Sequence, residues 1–136
     1  MIVIGITGSI GMGKSTIAEM LKTLKIPVFD ADKEVKYILE ENNIVKEQIY
    51  YLWPDVILTQ KNEKKIDKKL LSEKIFTNKK NRKILESIIH PRVQVQRNLF
   101  IKSKNKSLLI ALDVPLLYET RINKICDDIF LAHTNE

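Results

Sequence analysis

The sequence predicts an α/β fold in which a parallel sheet is interrupted by a long helical insertion. Three observations carry this. Residues 2 to 6 (I-V-I-G-I) form a short apolar run of strand type, and Ile17, Leu21 and Leu24 then recur at helical spacing with Met20 beside them. Ile26-Pro27-Val28-Phe29 reads as a second strand. Strand, helix and strand thus fit a βαβ unit of roughly 30 residues, with parallel strands and a right-handed connection. Residues 107 to 114 (S-L-L-I-A-L-D-V) have the continuous apolar character of a strand buried on both faces, and residues 128 to 133 (D-I-F-L-A-H) read as a fourth strand.

The first connection carries the densest local signal. All four glycines of the chain, Gly5, Gly8, Gly11 and Gly13, fall in its first thirteen residues. Gly8 to Ser15 read G-S-I-G-M-G-K-S, which fits G-x-x-x-x-G-K-[ST] at every fixed position. In this pattern backbone N–H groups turn inward to make a concave anion site, and the helix that follows adds its N-terminal dipole. Lys14 would reach the β- and γ-phosphates, and the Ser15 hydroxyl would bind Mg²⁺. Strand, loop and helix are the context that the motif requires.

Residues 33 to 103 read as helical throughout. Val35, Ile38 and Leu39 mark one stripe; Val45, Ile49 and Leu52 mark a second that ends before Pro54. The polar segment from Asp55 to Lys65 reads as a mobile loop. Asp67 caps a helix carrying Leu70, Leu71 and Ile75, and Asn78 caps another carrying Ile84, Leu85, Ile88 and Ile89. Pro91 should kink or restart that helix, and Val93, Leu99 and Phe100 form its last stripe. The division read from this is a single domain over residues 1–136, with core segments 1–32 and 104–136 and an insertion over 33–103.

At 136 residues, with 44% hydrophobic and 29% charged residues, the chain can build one real hydrophobic core. The net charge of +6 suits an anionic partner. The lysines that supply it lack interleaved aromatic residues, so they read as a solvated surface, and nucleic acid is not the expected partner. Cys126 is the sole cysteine, which excludes an internal disulfide; between Ile125 and Ile129 it reads as a buried structural thiol. With no apolar run near the roughly 20 residues of a membrane span, and no basic start to the first strand, the expected location is the cytoplasm.

In an open parallel sheet ligands bind beyond the carboxyl ends of the strands. Three polar groups end strands here: the phosphate loop, the pair Asp30 and Asp32, and Asp113. Phosphoryl transfer needs a cradle for phosphate, Mg²⁺ and a group that orients or deprotonates the acceptor hydroxyl. Asp32 is a candidate for the last role and equally a candidate helix N-cap; the two aspartates could also exchange roles. Asp113 could assist Mg²⁺ through water or simply bond nearby backbone N–H groups. His90-Pro91, at the end of an apolar helical stripe, reads on physics alone as a structural pair.

Together these residues resemble a family. G-I-T-G-S-I-G-M-G-K-S-T (5 to 16), F-D-A-D (29 to 32), I-D-K-K-L-L-S-E-K-I-F (66 to 76), I-I-H-P (88 to 91) and V-P-L-L-Y-E (114 to 119) stand in the order and rough spacing of dephospho-coenzyme A kinases. The resemblance implies a P-loop kinase core of three α/β/α layers, an inserted helical substrate domain, and phosphorylation by ATP of the ribose 3′-hydroxyl of dephospho-CoA. It implies that Gly8 and Gly11, Met12, Gly13, Lys14, Ser15 and Thr16 bind ATP phosphates, with Lys14 catalytic and Ser15 on Mg²⁺. It favours Asp32 as the acceptor-side base, and places His90, Pro91, Pro115, Leu116 and Glu119 on the CoA side.

The chain departs from the family in having Ser9, Lys25 and Lys64 where glycine is usual, and Lys68 where arginine is typical. It also reads as C-terminally truncated. The family continues through a lid helix bearing glutamine and arginines, another strand and a last helix, so a separate C-terminal fragment is an expected partner. The competing readings are a catalytically incomplete nucleotide-binding fragment and a kinase for another small molecule. A guanine-specific hydrolase is disfavoured, because Asn123-Lys124-Ile125-Cys126 places cysteine where N-K-x-D needs aspartate.

Overall fold

The computed structural model describes residues 1–8, 14–114 and 125–132. The chain divides into two compact units, residues 1–33 with 95–136, and residues 34–94.

The first unit is built on a four-stranded, all-parallel sheet of β1 (Ile2–Gly8), β2 (Val28–Asp30), β5 (Leu109–Asp113) and β6 (Asp128–Ala132), in the order β2-β5-β1-β6. β1 and β2 are parallel, as the βαβ reading requires, but β5 lies between them. The last strand, β6, is added on the far side of β1. The chain therefore leaves β1 in one direction and returns on the other side of it, and the carboxyl end of β1 is the switch point of the sheet. Val3, Ile6, Phe29, Ile110, Leu112 and Val114 are buried, each contributing about 1.5–3 kcal/mol on leaving water. The Phe29 ring lies 5.6 Å from that of Phe100. Asp127 extends the β1–β6 ladder: its carboxylate accepts the Val3 N–H at 2.7 Å, and its own N–H donates to the Val3 carbonyl at 2.7 Å.

α1 (Lys14–Thr23) ends in a paired stop. Ile26 N–H donates to the Leu21 carbonyl and Lys25 N–H to the Lys22 carbonyl, both at 2.9 Å, with Lys25 at φ 61°. This is the double hydrogen bond of a Schellman motif, which glycine ordinarily occupies at the left-handed position. A side chain there costs about 1–2 kcal/mol. Lys25→Gly is therefore expected to stabilise the chain by about 1 kcal/mol, part of the gain being returned as unfolded-chain entropy. Urea unfolding of the two proteins checks this; an unchanged or lower midpoint would contradict it. Leu24, read at helical spacing with Ile17 and Leu21, and Met20 beside it are exposed; α1 buries Ala18.

The second unit packs around Ile38, Val45, Ile49, Trp53, Val56, Leu71, Leu85 and Ile89. It draws on α2 (Ala31–Glu41), α3 (Asn43–Leu52), a 3₁₀ turn (Pro54–Val56), α4 (Lys68–Phe76) and α5 (Lys79–Ser103). The expected caps form: Asp67 accepts the Leu70 N–H at 3.2 Å, and Asn78 the Asn81 N–H at 3.1 Å.

Two expectations fail here. The segment read as a loop contains an antiparallel hairpin, β3 (Ile57–Gln60) and β4 (Glu63–Ile66), closed by Lys61 and Asn62 at φ 50° and 65°. Positive φ at both turn residues is the type I′ geometry that matches strand twist. Lys64 itself lies in β4. Pro91 does not restart the helix either, since α5 runs unbroken through it. Only one backbone N–H is lost, and Pro91 faces solvent. Leu99, read as part of the last stripe, is exposed; Phe100 is the residue turned toward β2.

Candidate active site

Register brings the carboxyl ends of three strands together. Asp30 pairs with Asp113 across β2 and β5, and Asp113 pairs with Ile6 across β5 and β1. Neighbouring strands lie roughly 4.8 Å apart, and register partners present their side chains to the same face. The two carboxylates therefore share one face at the end of the sheet. Among the described residues the buried polar side chains are Thr7, 2% exposed, and Asp113, 5% exposed, at adjoining strand ends. The remaining strand interior is apolar, so this polarity is confined to the switch point.

Gly8 closes β1 at φ 150°. A Cβ is excluded there, which accounts for glycine at the first motif position. Residues 9–13, with the candidates Gly11, Met12 and Gly13, lie outside the described residues, as do the side chains of Lys14 and Ser15. Lys14, Ser15 and Thr16 form the first turn of α1, which carries no acidic residue. Its first-turn N–H groups and dipole thus offer a positive end to an anion.

The structure separates the two aspartates, which the residues alone leave open and the resemblance decides in favour of Asp32 as the base. Asp30 Oδ1 accepts the Lys33 N–H at 3.1 Å, three residues on, which is the capping bond of α2. The cap expected of Asp32 is thus supplied by Asp30, since α2 begins at Ala31 rather than at residue 33. Asp32 occupies the first turn of α2 and is exposed.

His90 and Pro91 lie on α5 in the second unit, His90 half-buried and Pro91 exposed. Pro115, Leu116 and Glu119 fall outside the described residues. Lys68, at the arginine-type position, opens α4 and is paired with Glu40 on α2; that bond and the positive charge hold the Glu40 carboxyl below its ordinary range.

Cys126 is half-buried rather than buried. Desolvation pushes its thiol up to about 11, the Arg97 charge opposing this and Asp127 adding to it. The thiol is therefore protonated at neutral pH. Alkylation of the native chain by iodoacetamide at pH 8 is expected to run about a hundredfold slower than in the urea-unfolded chain. Equal rates would contradict the assignment. The sequence offered no sign of Thr7 or Asp127 beyond a polar residue beside an apolar run.

Comparison with known proteins gives a consistent result. A family model described as dephospho-CoA kinase matches residues 2–136. The chain is 36% identical over 129 residues to a dephospho-CoA kinase of Zymomonas mobilis, covering 95% of this chain and 64% of that protein. It is 39% identical over 130 residues to one of Fusobacterium nucleatum, covering 96% and 65%. Among solved structures it is similar to a Thermus thermophilus protein, with a TM-score of 0.74, 30% identity, and coverage of 97% of this chain and 65% of the other. A dephospho-CoA kinase from Campylobacter jejuni gives a TM-score of 0.68 at 32% identity, with 95% and 64% covered. The chain thus spans a little under two thirds of these relatives.

Proposed function

This chain belongs to the dephospho-CoA kinase family, and we propose that it transfers the γ-phosphoryl group of ATP to the ribose 3′-hydroxyl of dephospho-CoA. The observation that carries the reading is the sheet's switch point. A glycine-only backbone position there leads into a motif loop and an acid-free helix N-terminus, beside buried Asp113 and the first turn of α2.

In this reading Gly8 and residues 11–16 cradle the phosphates through backbone N–H groups. Lys14 neutralises charge that spreads over the transferring group, an effect realised most strongly in the transition state. Asp32 accepts the proton of the attacking hydroxyl. Asp30 fixes the start of α2 and so the placement of Asp32. His90 and Pro91, with Pro115, Leu116 and Glu119, supply acceptor contacts, an assignment that rests on the resemblance.

The donor set fits Mg²⁺. A hydroxyl at Ser15 and a carboxylate at Asp113 are hard oxygen donors, and Mg²⁺ commonly takes only one or two protein ligands beside phosphate and water. Held by these donors, the ion would offset the negative charge of the phosphates.

The test is formation of CoA from ATP and dephospho-CoA by the purified 136-residue chain, followed by mass spectrometry, with ATP binding measured in parallel. CoA formation that requires both substrates supports the proposal. ATP binding without product would favour a nucleotide-binding role instead, and absence of both would defeat the site assignment. Product with another hydroxylated acceptor but not dephospho-CoA would favour a different small-molecule kinase.

A further inference from the structure

The chain passes between its two compact units twice, and both crossings lie inside helices. The first falls between Lys33 and Glu34, in the opening turn of α2. The second falls between Gln94 and Val95, well inside the 25 residues of α5. Neither crossing has a loop, so any turning of one unit against the other is taken up by helical backbone. The opening turn of α2 has few intrahelical bonds to lose. In α5 the weak place is just short of the crossing, where Pro91 stands inside the helix.

Pro91 has no N–H to give the Ser87 carbonyl, its ring crowds that carbonyl, and it disfavours helical backbone at His90. Ser87 adds to the defect. Its hydroxyl donates back to the Ile84 carbonyl at 2.6 Å, a contact that tends to bend a helix. Packing divides at the same place. Before the proline, Leu85 and Ile89 are buried in the core of the second unit. Beyond it no residue of α5 is fully buried, and Phe100 stacks near Phe29 within the first unit. At roughly 100° per residue, Ile89 and Val93 lie on the face opposite Pro91. Pro91 is exposed, so crowding at its ring bends α5 toward the face that packs; Val93, partly buried against that core, is pressed onto it rather than lifted away.

We infer that α5 bends between Ser87 and Pro91, and that this proline is the pivot on which the second unit turns relative to the first. In a kinase such a pivot serves to admit substrates and then exclude water. That use rests on the proposed reaction; the pivot itself does not.

The test uses the full chain with Cys126→Ser, carrying nitroxide labels at Lys22→Cys on α1 and Lys69→Cys on α4, both exposed positions, one in each unit. Pulsed electron spin resonance then reads the distribution of distances between them. Pro91→Ala, which restores the N–H and the ladder, is expected to narrow that distribution by about half. Lys80→Ala, exposed on the same helix, should leave it unchanged. Amide exchange followed by NMR gives a second readout. The N–H groups of Val93 and Gln94 bridge the bend, so Pro91→Ala should slow their exchange by at least about tenfold more than that of Leu85 and Ile89. Circular dichroism identifies folded variants. The inference is overturned if the distribution is as broad in Pro91→Ala as in the parent, if Lys80→Ala narrows it equally, or if exchange slows alike along all of α5, as a proline with only a stabilising or destabilising effect would give. Neither ATP nor dephospho-CoA enters these readouts, so failure of the pivot and failure of the proposed reaction are distinguishable.

Discussion

Replacing Lys14 by alanine is expected to lower turnover of dephospho-CoA by about 10²–10³-fold, the loss that follows removal of one preorganised electrostatic contact, or about 2.7–4 kcal/mol of transition-state stabilisation. The expectation follows from position. Lys14 is the first residue of α1, in a turn with no acidic residue, immediately after a loop that β1 enters through a glycine-only conformation. The backbone N–H groups and the helix dipole remain in the variant, so ATP affinity should fall without vanishing. Alanine is the best helix former, so α1 should persist and the circular dichroism should be unchanged. The comparison is then between two folded proteins. Turnover at the parental rate in Lys14→Ala would mean that the loop does not hold the transferring phosphate.

How far the sequence carried this reading depended on whether the signal was local. β1, β5 and β6 announce themselves as apolar runs, and Val45, Ile49 and Ile89 lie in the core as their helical spacing requires, whereas the same spacing did not reveal that Met20, Leu24 and Leu99 are exposed. The phosphate-loop motif is legible because that pattern has fixed residue types at fixed spacing. The β3–β4 hairpin was not legible. Its turn is Lys61-Asn62 rather than Asn-Gly, and three of the four residues of β4 (Glu63, Lys64 and Lys65) are charged and exposed, so composition spoke for a loop. The neighbours of β1 were also hidden, because nothing local in β2 says that β5 will come between it and β1. Asp30 against Asp32 is the sharpest case. Both are short acidic residues at a strand-to-helix junction, and only the observed start of α2 at Ala31 decides which one can cap it.

That decision makes the two aspartates separable by experiment. Asp32→Asn is expected to lower transfer by about 10²–10⁴-fold, the usual contribution of a positioned general base, while leaving ATP affinity and the urea midpoint near their parental values. Asparagine keeps the shape and the hydrogen-bonding capacity but cannot take the proton. Asp30→Ala should do the reverse. It removes the acceptor of the Lys33 N–H and so costs about 1 kcal/mol of stability, with any fall in turnover limited to what a frayed first turn of α2 permits. Asp30→Asn separates cap from charge, because asparagine caps a helix about as well as aspartate. It should restore the midpoint lost in Asp30→Ala. If Asp30→Asn instead abolished transfer while Asp32→Asn turned over normally, the roles would be exchanged, and the Lys33 contact would be incidental to a catalytic Asp30. If both asparagine variants turned over normally, neither carboxylate would be the base, and the acceptor proton would have to leave by another group.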